Sequence, residues 1–318
     1  MEQLIFIARY FMYFFIPLLV VAVSGMFSER SGIIHMALDS VMVWSCMWGV
    51  LCLQWLDGVV AGQGRLLISL LFAGVMGVIL TLLLGVAAIN LNADQNIVGQ
   101  ALNTFAPAFC IFFARVLQDG SEHLAINNDF MISKIPVLGD IPVIGQMFFQ
   151  NTYITNFIGI AIFIVSAIII DKTRFGLRMC ACGENPQAAE SLGVNVQKYR
   201  YAALVIAGFL GGMGGLMYII PVANHYSQTV GGYGYLAMSV LIFGQWRSKS
   251  LFGAAAFFAL CKTLSNSYTG IPLLNSLGMP DAFYKSLPFI FTLVALALTS
   301  KYDHSPKASG VPYDKSMR

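Results

Sequence analysis

Two ionisable side chains, His35 and Asp39, stand in a largely apolar block that runs from Ile33 to Leu56. They are four positions apart, so a continuous helix carries both on one face, where they can hydrogen-bond to each other. Ionisable groups at membrane depth are costly and therefore face a cavity or a partner group. If this block crosses a membrane, two interpretations stay open: the pair lines a substrate path, or it forms a polar contact between helices near the membrane boundary.

The other residues with catalytic or metal-binding chemistry form no pattern. His123, His225 and His304 are scattered without the spacing of ligands or of a nucleophile and its base. Cys180 and Cys182 form C-x-C with no second pair and no nearby histidine, which argues against zinc, and the other four cysteines lie in apolar blocks. The chain also has no G-x-x-x-x-G-K-[ST] run to bind a nucleotide. We therefore predict no catalytic residue and no metal site.

The composition is typical of an integral membrane protein. Of the 318 residues, 58% are hydrophobic and only 10% are charged, which lies outside the range of soluble domains. Several apolar blocks of about 18 to 25 residues can cross a hydrocarbon core, and they must do so as helices because lipid offers no partner to backbone amides. We predict an all-α polytopic transmembrane bundle of about eight to ten helices, some of them interrupted, with residues 1–300 as one domain.

Glycines crowd one of these blocks and predict close packing of its backbone against other helices. They are Gly208, Gly211, Gly212, Gly214 and Gly215.

The most polar interval between two long apolar blocks runs from Arg174 to Gly193. Asn185 suits the N-cap of a helix, Pro186 its first position, and Gly193 the left-handed conformation that ends it. A helix of about seven residues is too short to cross a bilayer or to be stable alone, so it must dock on something. Its small apolar face consists of Ala188, Ala189 and Leu192. A capped loop without a partner is the alternative.

The loop charges predict an orientation. The loop 171–200 is rich in Lys and Arg, whereas the interval from Leu117 to Thr152 holds four acidic residues and little basic charge. Basic loops stay in the cytoplasm, so we expect 171–200 inside and 117–152 outside. The tail 301–318 carries Lys and Arg and is also expected inside. The net charge of +3 is small. It indicates how the protein is oriented in the membrane and does not indicate binding of nucleic acid.

The run KTRFGLRMCACGENPQAAESLGVNVQKYRYAALVIAGFLGGMGGLMY, residues 172–218, resembles part of the permease subunits of ABC importers for branched-chain amino acids, simple sugars and nucleosides. In that family the loop helix seats in a groove of a separate ATPase subunit and transmits its closure to the membrane. The resemblance implies a multi-pass permease of a prokaryotic inner membrane that binds no cofactor itself, with ATP and Mg²⁺ on the partner. The coupling residues that it implies are Gly183, Glu184, Asn185, Pro186, Ala188, Ala189 and Gly193.

A second run, FSERSGIIHMALDSVM at residues 27–42, resembles the FSERSGVVNIGLEG run of nucleoside-type permeases. It departs from that run at His35 and Asp39, and it lacks the glycines that would permit a broken helix. A pattern from Ala93 to Asn103 and the DIPVIGQMFF run at 140–149 are also similar to the nucleoside branch. The candidates for the substrate path are His35, Asp39, Asn103 and Phe105. For Asn103, a hydrogen bond between helices is the alternative.

The resemblance implies the transmembrane permease subunit of an ABC importer for a small solute, with a nucleoside expected and ribose, galactose or a riboflavin-like heterocycle as alternatives. The implied partners are a cytoplasmic ATP-binding subunit, a second permease subunit, either a paralogue or identical, an extracytoplasmic binding protein and the bilayer. An ion-coupled secondary transporter is a rival, yet the apolar blocks offer few carboxylates beyond Asp39 and Asp94. A membrane enzyme would need catalytic groups that converge.

The sequence also echoes itself. ERSG at Glu29 and WRSKS at Trp246 each precede an apolar block, as in transporters built from inverted repeats with interrupted helices. Chance similarity in a biased composition is the alternative.

Overall fold

A computed structural model describes residues 2–136, 139, 141, 145–267, 280, 283–284, 286–287, 290–291, 293, 297 and 304–313. Ten α-helices have defined bounds within these residues. They are α1 (Glu2–Arg30), α2 (Leu38–Trp55), α3 (Gln63–Gly85), α4 (Gln95–Leu117), α5 (Ile154–Lys172), α6 (Arg174–Glu184), α7 (Pro186–Ser191), α8 (Val196–Val222), α9 (Tyr233–Phe243) and α10 (Ser248–Ser267). The block 287–298, which the sequence predicts as the last span, lies mostly outside the described residues.

Five helical segments of the described chain are long and apolar enough to cross a membrane. They are Ile5–Arg30, Gln63–Asn90, Gln95–Leu117, Ile154–Lys172 and Val196–Val222. The second includes a π-helical turn, Val86–Asn90, that extends α3. The all-α polytopic bundle predicted from the composition is confirmed. Helix α9 has only 11 residues, which makes it about 16 Å long and too short to cross a bilayer.

Helix α8 forms the centre of the bundle, packed chiefly against α3 and α1. A Cβ atom on Gly77 of α3 would strike the Gly208 carbonyl oxygen, and one on Gly212 would strike the Ala73 carbonyl oxygen. The two backbones therefore touch where both helices carry glycine, as the crowded glycines predict.

Two groups of connections lie at opposite ends of the bundle, since α5 and α8 each run from one group to the other. One end, the hairpin end, holds two short antiparallel pairs, β1 (Leu124–Ala125) with β4 (His225–Tyr226), and β2 (Ile132–Lys134) with β3 (Gln150–Thr152). The other end, the α7 end, holds α6, α7 and the C-terminal residues 304–313.

The chain is not helical between α1 and α2, and this corrects the prediction that His35 and Asp39 share a helical face. Gly32 has φ of +95° and ends α1, and α2 begins only at Leu38. The Ser28 hydroxyl donates to the Ile33 carbonyl oxygen (2.8 Å) and stabilises the turn. We call residues 31–37 the α1–α2 break.

A second break separates α9 from α10, where Gln245 and Trp246 both have positive φ. The Trp246 indole N–H donates to the Glu29 carboxylate (2.6 Å), and this hydrogen bond is buried. The two motifs that echo each other in the sequence therefore contact each other at the ends of α1 and α9.

Candidate coupling segment and substrate path

Helix α7 has the local structure that the sequence predicts, whereas the helix α6 that precedes it was not predicted. The Thr173 hydroxyl accepts the Gly176 N–H (3.1 Å) and begins α6. The Asn185 side chain accepts the Ala188 N–H (3.0 Å), with Pro186 at the first position of α7. Gly193 has φ of +82° after the last turn. The predicted short, capped helix is confirmed.

The seven predicted coupling residues differ in exposure. Glu184, Asn185, Ala188 and Gly193 are exposed and Pro186 is half-buried, whereas Gly183 and Ala189 are buried. Ala189 packs in a small cluster with Cys182, Val196 and Tyr313, so it does not belong to the outward apolar face predicted from sequence. That face is formed by Ala188 and by Leu192, which is 86% exposed.

Gly183 lies at the contact between α6 and the end of α1. A Cβ atom at this position would strike the Arg30 carbonyl oxygen. Gly183 therefore allows the α6–α7 segment to touch the α1–α2 break, and the backbone contact explains why a glycine fits here.

Burial raises the pKa of the Cys180 and Cys182 thiols, although Arg30 and Arg200 respectively oppose the shift. Burial therefore favours the protonated form of both thiols. Within the part of the chain that the structure describes, no group of three or more His, Cys, Asp or Glu side chains could hold a metal ion.

Helix α4 holds the α1–α2 break in shape. The Asn103 side chain accepts the Ser40 N–H (3.1 Å) and donates to the Met36 carbonyl oxygen (2.8 Å). The Gln95 side chain accepts the Ile34 N–H (2.8 Å). Asn103 thus makes hydrogen bonds between helical elements, which was the alternative to a bond with substrate. Its side-chain oxygen and nitrogen are both bonded to backbone groups.

Asp39 joins the first turn of α2 to the first turn of α9. Its carboxylate accepts the Gly234 N–H (2.9 Å), and the Tyr233 hydroxyl donates to the carbonyl oxygen of Phe14, near the middle of α1. Helix α9 therefore begins at mid-depth in the bundle. The carboxylate lies at the first turns of two helices.

His35 is fully buried, and neither ring nitrogen has a hydrogen-bond partner among the described residues. Within the described residues no hydrogen bond joins His35 to Asp39. His35 lies in the non-helical break, whereas Asp39 lies in the first turn of α2. Asp39 makes a contact between helices, whereas His35 is an unsatisfied buried group within the break. A role of the pair in the substrate path stays a prediction.

An exposed polar patch adjoins Asn103 on the surface of the bundle. Gln100 is exposed and Tyr235 is 38% exposed, and the side chains of Gln100 and Asn103 lie within hydrogen-bonding reach of Tyr235. Sequence analysis missed both Gln100 and Tyr235. The available signal was a glutamine inside an apolar span and a tyrosine just after the glycines that precede α9.

Aromatic rings also line the contact between α2 and α4. The ring of Phe105, which is 47% exposed, stacks at 27° on Trp44 with centroids 6.5 Å apart, and Trp44 lies 4.9 Å from Phe109. We call Gln100, Asn103 and Tyr235 the α4–α9 patch. Polar side chains exposed on a spanning helix are costly in lipid, so this face suits a protein or aqueous boundary.

Residues 7–296 match the protein family described as the branched-chain amino acid transport system / permease component. The match covers most of the chain. This protein belongs to that family. The permease is 36% identical over 303 residues to the guanosine ABC transporter permease protein NupQ of Bacillus subtilis, covering 95% of this chain and 94% of the relative. It is 35% identical over 301 residues to the nucleoside ABC transporter permease protein NupC of Lactococcus lactis, covering 94% of each.

A more distant relative is the putative glucose ABC transporter permease protein TsgC13 of Haloferax volcanii, 25% identical over 293 residues, with 90% of this chain and 84% of the relative covered. No solved structure matches the chain. The family identified from the sequence runs is confirmed. Since the family comprises permease components of a transport system, this multi-pass membrane protein acts together with other subunits and is not itself the enzyme of that system.

Proposed function

We propose that this permease is the transmembrane subunit of an ATP-binding cassette importer and that its substrate is a purine or pyrimidine nucleoside. The observation that carries the proposal is the similarity, over almost the whole chain, to two permeases named for guanosine and for nucleosides. Two groups of exposed side chains support it. Phe105 offers a ring on which a flat base can stack, and the α4–α9 patch offers amide and hydroxyl groups.

The substrate path lies, in this proposal, between this permease and a second permease subunit. Gln100 and Thr104 are both exposed on α4 at positions one turn apart, which gives a spanning helix a polar outer stripe that lipid does not favour. In this arrangement Gln100, Phe105 and Tyr235 contact the substrate, whereas Asn103 holds the break and Asp39 connects α2 to α9.

Energy comes from a separate subunit that binds ATP and Mg²⁺. Helix α7 seats in that ATPase subunit, with Glu184, Ala188 and Leu192 on the contact surface. Gly183 and Ala189 act from inside by fixing the segment against the α1–α2 break and α8. The basic charge of the α7 end supports a cytoplasmic position for it, with the hairpin end outside, where in this proposal an extracytoplasmic binding protein delivers the substrate.

Uptake by the reconstituted importer tests the proposal. The permease, its second permease subunit, the ATPase subunit and the binding protein are incorporated in liposomes, and radiolabelled guanosine uptake is measured with ATP or ADP on the ATPase side. We expect uptake that requires ATP and that unlabelled nucleosides suppress, with no suppression by ribose, glucose or riboflavin. Uptake driven by an ion gradient without ATP contradicts the ABC assignment, and suppression by sugars alone contradicts the nucleoside.

A further inference from the structure

The C-terminal residues 304–313, which we call the strap, return to the α7 end and bind to three different elements. The Ala308 N–H donates to the Gly183 carbonyl oxygen (2.9 Å), and the Gly310 N–H donates to the Gly32 carbonyl oxygen (3.3 Å). The Tyr313 hydroxyl hydrogen-bonds to the Glu190 carboxylate. The strap thus connects the end of α6, the α1–α2 break and α7.

The conformation of the strap is specified locally. Two turns are closed by hydrogen bonds. The Ser309 N–H donates to the Pro306 carbonyl oxygen (3.0 Å), and the Val311 N–H donates to the Ala308 carbonyl oxygen (3.3 Å). Gly310 has φ of +78°, and a Cβ atom there would lie 2.7 Å from Cδ1 of Ile34. The backbone conformation therefore disfavours a side chain at this position, and a Cβ atom would also require the Ile34 side chain to shift.

The inner and outer faces of the strap differ. Pro306 is buried, and so is Tyr313, whose ring lies 5.8 Å below the buried Arg200 guanidinium. In contrast, Lys307 and Pro312 are exposed, and Val311 is 54% exposed. The buried side chains attach the strap, and the exposed ones present a new surface beside α7.

A groove of about 260 Å³ runs between this outer face and the first turn of α7. One wall is formed by Glu184, Asn185 and Pro186, and the other by Lys307, Val311 and Pro312. A protein that fills this groove therefore contacts both the first turn of α7 and the strap.

The small size of α7 also indicates that a docking partner contacts more than this helix. Helix α7 has six residues and is about 9 Å long, whereas a stable interface buries about 800 Å² on each partner. Helix α7 alone cannot supply that area, and the strap is the surface continuous with it across the groove.

We infer that the ATPase subunit docks on a composite surface made by α7 and by the exposed side of the strap. The inference rests on the proposed function, because it names a second half of the same docking site. The strap extends the site to the α1–α2 break through Gly32, so that a partner seated on it contacts an element bonded directly to the break.

The experiment measures binding of the cognate ATPase subunit to the permease in nanodiscs. Leu192→Asp charges the exposed side of α7, and Val311→Asp charges the exposed side of the strap. Val59→Asp is the matched control, since Val59 is 75% exposed in the connection between α2 and α3, outside the α7 end. All three side chains are exposed, and equal thermal unfolding midpoints check that each variant folds.

We expect Leu192→Asp and Val311→Asp each to weaken binding at least tenfold and Val59→Asp to leave it unchanged. If Leu192→Asp weakens binding and Val311→Asp does not, the composite surface is wrong and the proposed coupling role of α7 survives. If neither variant weakens binding, docking of the ATPase subunit at α7 is wrong, and the inference fails with it.

Discussion

Asn103→Leu is the substitution that best separates a residue that holds the break from one that binds substrate. It removes an acceptor for the Ser40 N–H and a donor to the Met36 carbonyl oxygen. An unsatisfied backbone group costs about 1 to 3 kcal/mol, and Asn103 is half-buried, so the low end applies to each group and the total is about 2 kcal/mol. At 1.4 kcal/mol per factor of ten, opening of the break becomes about 30-fold more frequent.

Hydrogen exchange measured by mass spectrometry reports this opening in peptides that cover residues 31–40. We expect faster exchange in Asn103→Leu with or without nucleoside. Asn103→Asp should give an intermediate rate, because its carboxylate can still accept the Ser40 N–H. Thr104→Val is the control, since this neighbouring side chain is exposed and bonds only within α4 in the described contacts. Unchanged exchange in Asn103→Leu combined with weaker nucleoside binding would refute the structural role and favour direct contact with substrate.

Two other changes test the account. Asp39→Asn keeps an oxygen that can accept the Gly234 N–H, so we expect ATP-dependent uptake within about threefold of wild type. Asp39→Leu removes the acceptor and should lower uptake at least tenfold. Equal uptake in the two variants would exclude this contact as the role of Asp39. Gly77→Ala places a methyl group against the Gly208 carbonyl oxygen, and it should destabilise the bundle by about 1 to 3 kcal/mol in thermal unfolding. Gly253→Ala is the control and should not destabilise the bundle, because a Cβ atom there meets no atom within 4 Å. Equal midpoints for the two alanine variants would count against the close contact of α3 with α8.

Local features were predictable from the sequence because they depend on neighbouring residues. Asn185, Pro186 and Gly193 define α7 by cap chemistry within eight positions, and the glycines of α8 indicate close packing. The α1–α2 break was not predicted to separate His35 from Asp39, because it is held by Gln95 and Asn103, which lie more than sixty positions later.

Long-range contacts account for the other differences. Ala189 was expected on the outward face of α7, yet Tyr313 and Val196 cover it, and no local pattern reveals a contact with the C-terminal residues. The same holds for the strap, whose hydrogen bonds reach Gly32 and Gly183, both more than a hundred positions earlier in the chain. The pairing of Tyr235 with α4 likewise depends on where α9 begins within the bundle.

The most direct test of the central claim is ATP-dependent nucleoside uptake by the reconstituted importer that carries Glu184→Arg, with the binding protein saturated by substrate. Glu184 is exposed at the end of α6, so the change leaves the fold intact and alters the surface that we assign to the ATPase subunit. We predict that uptake is lost while the binding protein still captures nucleoside with unchanged affinity. Uptake equal to that of the wild type would contradict the claim that this segment couples ATP hydrolysis to transport.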